Sequence, residues 1–176
     1  MIKHGLRTAA FAESVVVDSS QVAPIPKEIP FDSASVLSCG VITGFGAVVN
    51  TAKIQSGCNV VVMGTGGVGL NSVQGASIAG AESIIALDLS DEKLEAAKKF
   101  GATHAVNVSR EKPTKAVYGI TEGRGADYVF VTVGDKNAIE QGFKILGRGA
   151  TLVLVGMTAD GVKAVSYTHL TLPTIA

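Results

Sequence analysis

The strongest constraint on the fold is a glycine-dense turn. Val60-Val61-Val62-Met63 runs straight into Gly64-Thr65-Gly66-Gly67-Val68-Gly69. An almost wholly apolar run of this length suits a strand buried on both faces, as in a parallel sheet covered by helices on either side. Small and apolar residues continue as a predicted helix over 68–79. The spacing is G-x-G-x-x-G, in the strand–turn–helix context of a dinucleotide site. Gly64 permits the tight turn. Gly66 has no Cβ, so backbone can approach a diphosphate. Gly69 lets the helix lie close to the sheet. The helix start, with Gly67, offers free N–H groups and a positive dipole end to phosphates.

Downstream, apolar strands and helices alternate. Strands are predicted over 83–87, 105–108, 127–133 and 150–155. Helices are predicted over 91–100 (capped by Ser90, ended by Gly101), 115–121 and 138–146. This alternation predicts an α/β, Rossmann-type doubly wound parallel sheet with about five of its six strands present. Asp88 ends the second strand, 19 residues after Gly69. A carboxylate there can accept both ribose hydroxyls and repels a 2′-phosphate, which favours NAD over NADP. Lys93 could lie near the same ribose edge. A methyltransferase using S-adenosylmethionine also has a glycine-rich first turn and an acidic second strand end, and it is the main alternative. A P-loop is excluded, because no G-x-x-x-x-G-K-[ST] occurs. A short-chain reductase is disfavoured, because Tyr118 is followed four residues on by Glu122, and Tyr128 by Thr132, so no Tyr-x-x-x-Lys pair exists.

Residues 1–40 have another texture. Phe11 to Val17 reads as a strand. Pro24, Pro26 and Pro30 bar a central strand or helix between 21 and 30. Asp32 is the predicted N-cap of a helix over 33–38, and 41–52 is another helical candidate. Lys plus Arg and Asp plus Glu are 15 each, so no basic excess points to nucleic acid. No apolar run of spanning length and no signal-peptide h-region are evident, so no membrane is expected. Two cysteines, Cys39 and Cys58, make no disulfide framework, and a reducing cytoplasm is the default compartment. On composition alone, each is a small buried apolar residue.

Cys39-Gly40, Thr43-Gly44-Phe45-Gly46 and the glycine turn, followed by Ala86-Leu87-Asp88, Phe100-Gly101-Ala102-Thr103, Gly125-Ala126-Asp127-Tyr128 and Val155-Gly156-Met157, resemble zinc-dependent medium-chain alcohol dehydrogenases over about residues 5–163. The resemblance implies three parts. Residues 1–40 are the C-terminal remnant of a β-rich, GroES-like catalytic-domain segment, 41–164 are a truncated NAD-binding Rossmann domain, and 165–176 are a non-native tail. It implies that Cys39 is a ligand of catalytic zinc, that Thr43 contacts the nicotinamide and that Val68 backs that ring. Val133 and Val155 lie beside its nicotinamide half. Cys58, His4 and His104 match no family position. The implied reaction is hydride transfer between NAD and a small alcohol or aldehyde, or an S-hydroxymethyl thiol adduct, with zinc lowering the pKa of the alcohol oxygen. The full-length protein is expected to be a homo-oligomer.

The chain also departs from the family. The family's other zinc ligands, proton relay and structural zinc loop have no counterpart here, nor does its sixth strand. The chain is therefore expected to bind NAD yet lack dehydrogenase activity. The tail, VSYTHLTLPTIA, has no counterpart in the resemblance and reads like translated sequencing adapter, so His169 has no role. A zinc-free quinone reductase and a non-catalytic NAD-binding module are the alternatives, and Cys39 argues against the first.

Overall fold

The computed structural model describes residues 11–159. His4, His169 and the segment 165–176 lie outside the described residues. The chain divides between Ser35 and Val36 into two compact units.

The first unit holds no strand among its described residues. Residues 11–17 are irregular and largely exposed, which corrects the strand predicted there and the β-rich character expected of 1–40. β-branched residues make a strand only where a neighbour completes the backbone hydrogen bonds, and no described residue of this unit does so. Among the described residues before the helices, the one regular feature is a 3-10 turn, Ser19–Gln21, capped by the Asp18 carboxylate.

Helix α1 (Phe31–Val36) starts before the predicted boundary. Asp32 is in its first turn rather than at the N-cap, and the Pro30 carbonyl accepts from the Ala34 N–H at 2.8 Å. The run continues through a π-helical turn (Leu37–Val41), α2 (Ile42–Gly46) and a second π-helical turn (Ala47–Ala52). Lys53 ends it in the left-handed region, at φ 50°. The helical run Phe31–Ala52 is 22 residues long with a mean hydropathy of 1.5, enough by length and composition to cross a membrane. That corrects the expectation that nothing in the chain reaches spanning length. A core helix of a soluble protein meets the same criteria, and Ala47 and Val48 of this run are core residues.

Among the described residues, the second unit is built on five parallel strands: β1 (Asn59–Met63), β2 (Ser83–Asp88), β3 (His104–Asn107), β4 (Ala126–Val131) and β5 (Leu146–Leu154). Their order is β3-β2-β1-β4-β5, which places the switch in strand order at β1, between β2 and β4. Between the strands run α3 (Gly67–Ile78), α4 (Asp91–Lys99), α5 (Pro113–Ile120) and α6 (Lys136–Lys144). Alternate side chains feed two cores. Val60, Val62, Ile84, Ala86 and Phe130 join α3 and α4 residues such as Val73 and Leu94. Val61, Met63, Ile85, Leu87, Val129 and Val131 join Val117 of α5 and Ile139 of α6. This is why β1 is apolar at every interior position: both of its faces are covered.

Several boundaries differ from the sequence expectation by a few residues. α5 begins earlier because Pro113, with its fixed φ and missing N–H, suits the first helical position. α6 begins earlier because Asp135 caps it, accepting from the Ala138 N–H at 2.9 Å. β4 stops at Val131 rather than 133. β5 starts at Leu146, with a register irregularity after its first pair with Ala126. β3 covers 104–107 rather than 105–108.

Candidate functional site

The glycine turn leaves β1 at its C-terminal end. Gly64 has φ +89°, and a Cβ there would run into Val133. A Cβ on Gly69 would strike the Gly64 carbonyl oxygen, so the first turn of α3 lies directly on the end of the strand. Gly66 and Gly67 are the opposite case: a Cβ at either meets nothing within 4 Å. Their backbone is bare and exposed at the start of a 12-residue helix that has no side-chain cap. Main-chain N–H groups there lie at the positive end of the helix dipole, where negative charge is favoured.

The Asp88 carboxylate reaches back from the end of β2 to this turn. Its Oδ2 accepts from the Thr65 N–H at 2.7 Å and the Thr65 hydroxyl at 3.1 Å, and its Oδ1 accepts from the Ser90 N–H at 3.0 Å. Burial pushes its carboxyl pKa up. The Thr65 and Ser90 N–H groups, the Thr65 hydroxyl and the charge of Lys93 outweigh that and hold it below the usual carboxylate range. On the other flank, Thr132 just past β4 donates its hydroxyl toward the carbonyls of Met63 (3.1 Å) and Gly64 (2.7 Å), pinning the first peptide of the turn.

A cleft of about 380 Å³ opens at this end of the sheet. Gly64, Asp88, Lys93 and Val133 line it, together with Leu87, Leu89, Val108 and Asp135. Among the sequence-predicted residues, Gly66, Gly67, Val68, Gly69, Val155, Cys39 and Thr43 do not line it. Val155 follows β5 and its N–H bonds to the Val131 carbonyl, beside the segment that carries Val133. Cys39 and Thr43 lie on the helical run before β1. That run meets α3 closely: a Cβ on Gly44 would strike the Val68 carbonyl oxygen, and the Ser72 hydroxyl donates to the Gly44 carbonyl at 3.2 Å. Thr43 is therefore fixed next to the crossing that carries Val68.

Cys39 is exposed, which corrects the reading of it as a buried apolar residue, whereas Cys58 is buried as expected. Burial, with the charge of Asp127, pushes the Cys58 thiol up. Among the described residues no three His, Cys, Asp or Glu side chains converge on a metal position, so Cys39 offers one donor to a zinc ion that takes four. His104 is exposed and bonds to the Thr103 hydroxyl through Nδ1 at 2.9 Å. The sequence reading missed Thr65, Thr132 and Asp135. Only Asp135 carried a local signal, an Asp just before a helical segment.

The family model for zinc-binding dehydrogenases matches residues 67–175. That range includes most of the 165–176 segment for which the resemblance has no counterpart. An alcohol dehydrogenase class-3 from Zea mays is 40% identical over 163 residues, covering 91% of this chain and 42% of that protein. An S-(hydroxymethyl)glutathione dehydrogenase from Paracoccus denitrificans is 35% identical over 169 residues, covering 92% of this chain and 45% of that protein. The chain thus spans less than half the length of these relatives. The crystal structure of benzyl alcohol dehydrogenase from Acinetobacter calcoaceticus superposes with a TM-score of 0.76 at 34% identity, covering 80% of this chain and 38% of that one.

Proposed function

The chain belongs to the zinc-binding dehydrogenase family, and we propose that it forms the NAD-binding part of an alcohol dehydrogenase. The observation that carries this reading is the pairing of bare backbone at Gly66 and Gly67 with the Asp88 carboxylate at the neighbouring strand end. When bound, the nicotinamide of NAD supplies a site that accepts or returns a hydride. The chain's own residues bind and orient. Gly64 to Gly69 hold the diphosphate on main-chain N–H groups. Asp88, with Lys93 nearby, holds the adenosine ribose. Val68, Val133 and Val155 bound the nicotinamide half, and Thr43 lies against it. The Cys39 thiol is one prospective zinc ligand. No step is assigned to zinc, because one thiolate does not make a site.

The relatives suggest an alcohol, or an S-hydroxymethyl thiol adduct, as substrate of the whole enzyme, and we infer that its partner is a second copy of itself. Free Cys39 and Cys58 fit a cytoplasmic location. Calorimetry on the 176-residue chain tests the cofactor assignment. NAD should bind more tightly than NADP, and Asp88→Asn should narrow the ratio. A preference for NADP, or a ratio untouched by Asp88→Asn, overturns the role given to Asp88.

A further inference from the structure

We propose that Thr65, the second residue of the glycine turn, is a positioning residue that fixes the Asp88 carboxylate for a cofactor sugar. The proposal rests on the NAD reading and sharpens it. A carboxylate has about four lone-pair sites, two on each oxygen. Oδ2 receives both the N–H and the hydroxyl of Thr65, at 2.7 and 3.1 Å, which uses its capacity. Oδ1 receives the Ser90 N–H at 3.0 Å and keeps one site. The arrangement is preorganised, because Thr65 is 1% exposed and its side chain is held beneath the turn. A vicinal diol arriving at Asp88 therefore meets a carboxylate already held in place. The Thr65 hydroxyl ties β2 to the same turn that presents the bare backbone of Gly66 and Gly67, so sugar and diphosphate contacts are set by one rigid unit.

The Thr65 hydroxyl is aimed at the residue that discriminates cofactors. The other charged groups lining the cleft are Lys93 and Asp135. Lys93 adds to the hold on the ionised form, and Asp135 spends its Oδ1 on the α6 cap.

The test compares Thr65→Val, Thr65→Ser and wild type in the 176-residue chain. Two readouts are used: titration of the Asp88 carboxyl by carbon NMR, and calorimetric Kd values for NAD and NADP. Thr65→Val keeps the shape and the N–H but deletes the hydroxyl, and Thr65→Ala makes the same deletion without β-branched bulk should the valine misfold. Either should shift the Asp88 titration upward and weaken NAD by about tenfold, the scale of one hydrogen bond to a charged group. NADP, which gains nothing from the ordered carboxylate, should change less than about twofold. Thr65→Ser should restore both readouts, which a purely space-filling role for Thr65 would not require. An unmoved titration with an unchanged NAD to NADP ratio, or a serine variant that behaves like the valine, overturns the proposal. If wild type shows no preference for NAD while Thr65→Val still moves the titration, the cofactor reading fails. In that case the positioning of Asp88 by Thr65 stands, but the claim about the sugar falls with the reading.

Discussion

The two ends of the sheet invite comparison. At the C-terminal strand ends a cleft of about 380 Å³ holds Gly64, Asp88, Lys93 and Val133. At the N-terminal ends a second cleft, about 350 Å³, holds Cys58, Asp127, Tyr128 and Arg148. The volumes are nearly equal, and each cleft has an aspartate beside β1. Their chemistry differs. Asp127 bonds to the Asn59 N–H (2.7 Å) and side-chain amide (3.3 Å), and Ser83 closes the set by donating to Asn59 Oδ1 at 2.6 Å. That network clips β1 to β2 and β4. Asp88 instead bonds to the Thr65 N–H and hydroxyl, in the turn that opens α3. Cavity size does not separate a site from a seam. What does is the turn that follows the strand ends, which carries helix-opening N–H groups outward.

The largest expected effect comes from Gly69→Ala, where a Cβ strikes the Gly64 carbonyl. Backbone cannot yield as a flexible side chain does, so a loss of about 3 kcal/mol is expected in denaturant melts, with NAD binding lost as well. A variant as stable as wild type would mean that α3 does not rest on the strand end as described. Next comes Asp127→Ala at the opposite end, which leaves the Asn59 N–H without its acceptor. It should cost about 2 kcal/mol of stability and leave NAD affinity unaltered, and weaker NAD binding with full stability would merge the two ends into one functional unit.

Gly66→Ala should behave in the reverse way. With nothing within 4 Å of the new Cβ, stability should hold within about 0.5 kcal/mol. NAD affinity should nevertheless fall about tenfold, because the methyl occupies the diphosphate face, and retained affinity would show that the open backbone is not where the ligand lies. The smallest effect is the pH dependence of Asp88→Asn. The folded-state pKa of Asp88 lies below the unfolded value. The stability carried by its ionised form is therefore complete above about pH 4 and drains away as pH falls through the folded value. The gap between wild-type and Asp88→Asn denaturation midpoints should be open at pH 7 and shrink under acid. A gap that widens as pH falls reverses the sign and refutes the hydrogen-bonded carboxylate.

Much of the second unit was legible in its order of residues. Runs such as Val60–Met63 and Ile84–Leu87 have no polar side to show solvent, so only strands covered on both faces accommodate them. The Gly64 turn and the Ser90 cap are local, and the structure contains both. The stretch Phe11–Val17 misled because its composition is strand-like while the partner a strand needs is a property of the surroundings. The helix Phe31–Ala52 misled in the other direction. The sequence reads as two helical pieces, 33–38 and 41–52, whereas the run is continuous and Gly44 allows its close crossing with α3.

By itself, the sequence determined the α/β alternation, the turn at which β1 ends and the acidic residue that follows β2. These are short-range facts, set by periodicity and by which residues tolerate a bend. Only the tertiary structure decided that Thr65 and Thr132 grip that bend from either side and that Asp127 bonds to Asn59 while Asp88 bonds to Thr65. Those bonds join residues 23 to 69 positions apart. A hydroxyl carries no mark of the partner it will meet until the sheet brings the two strands side by side.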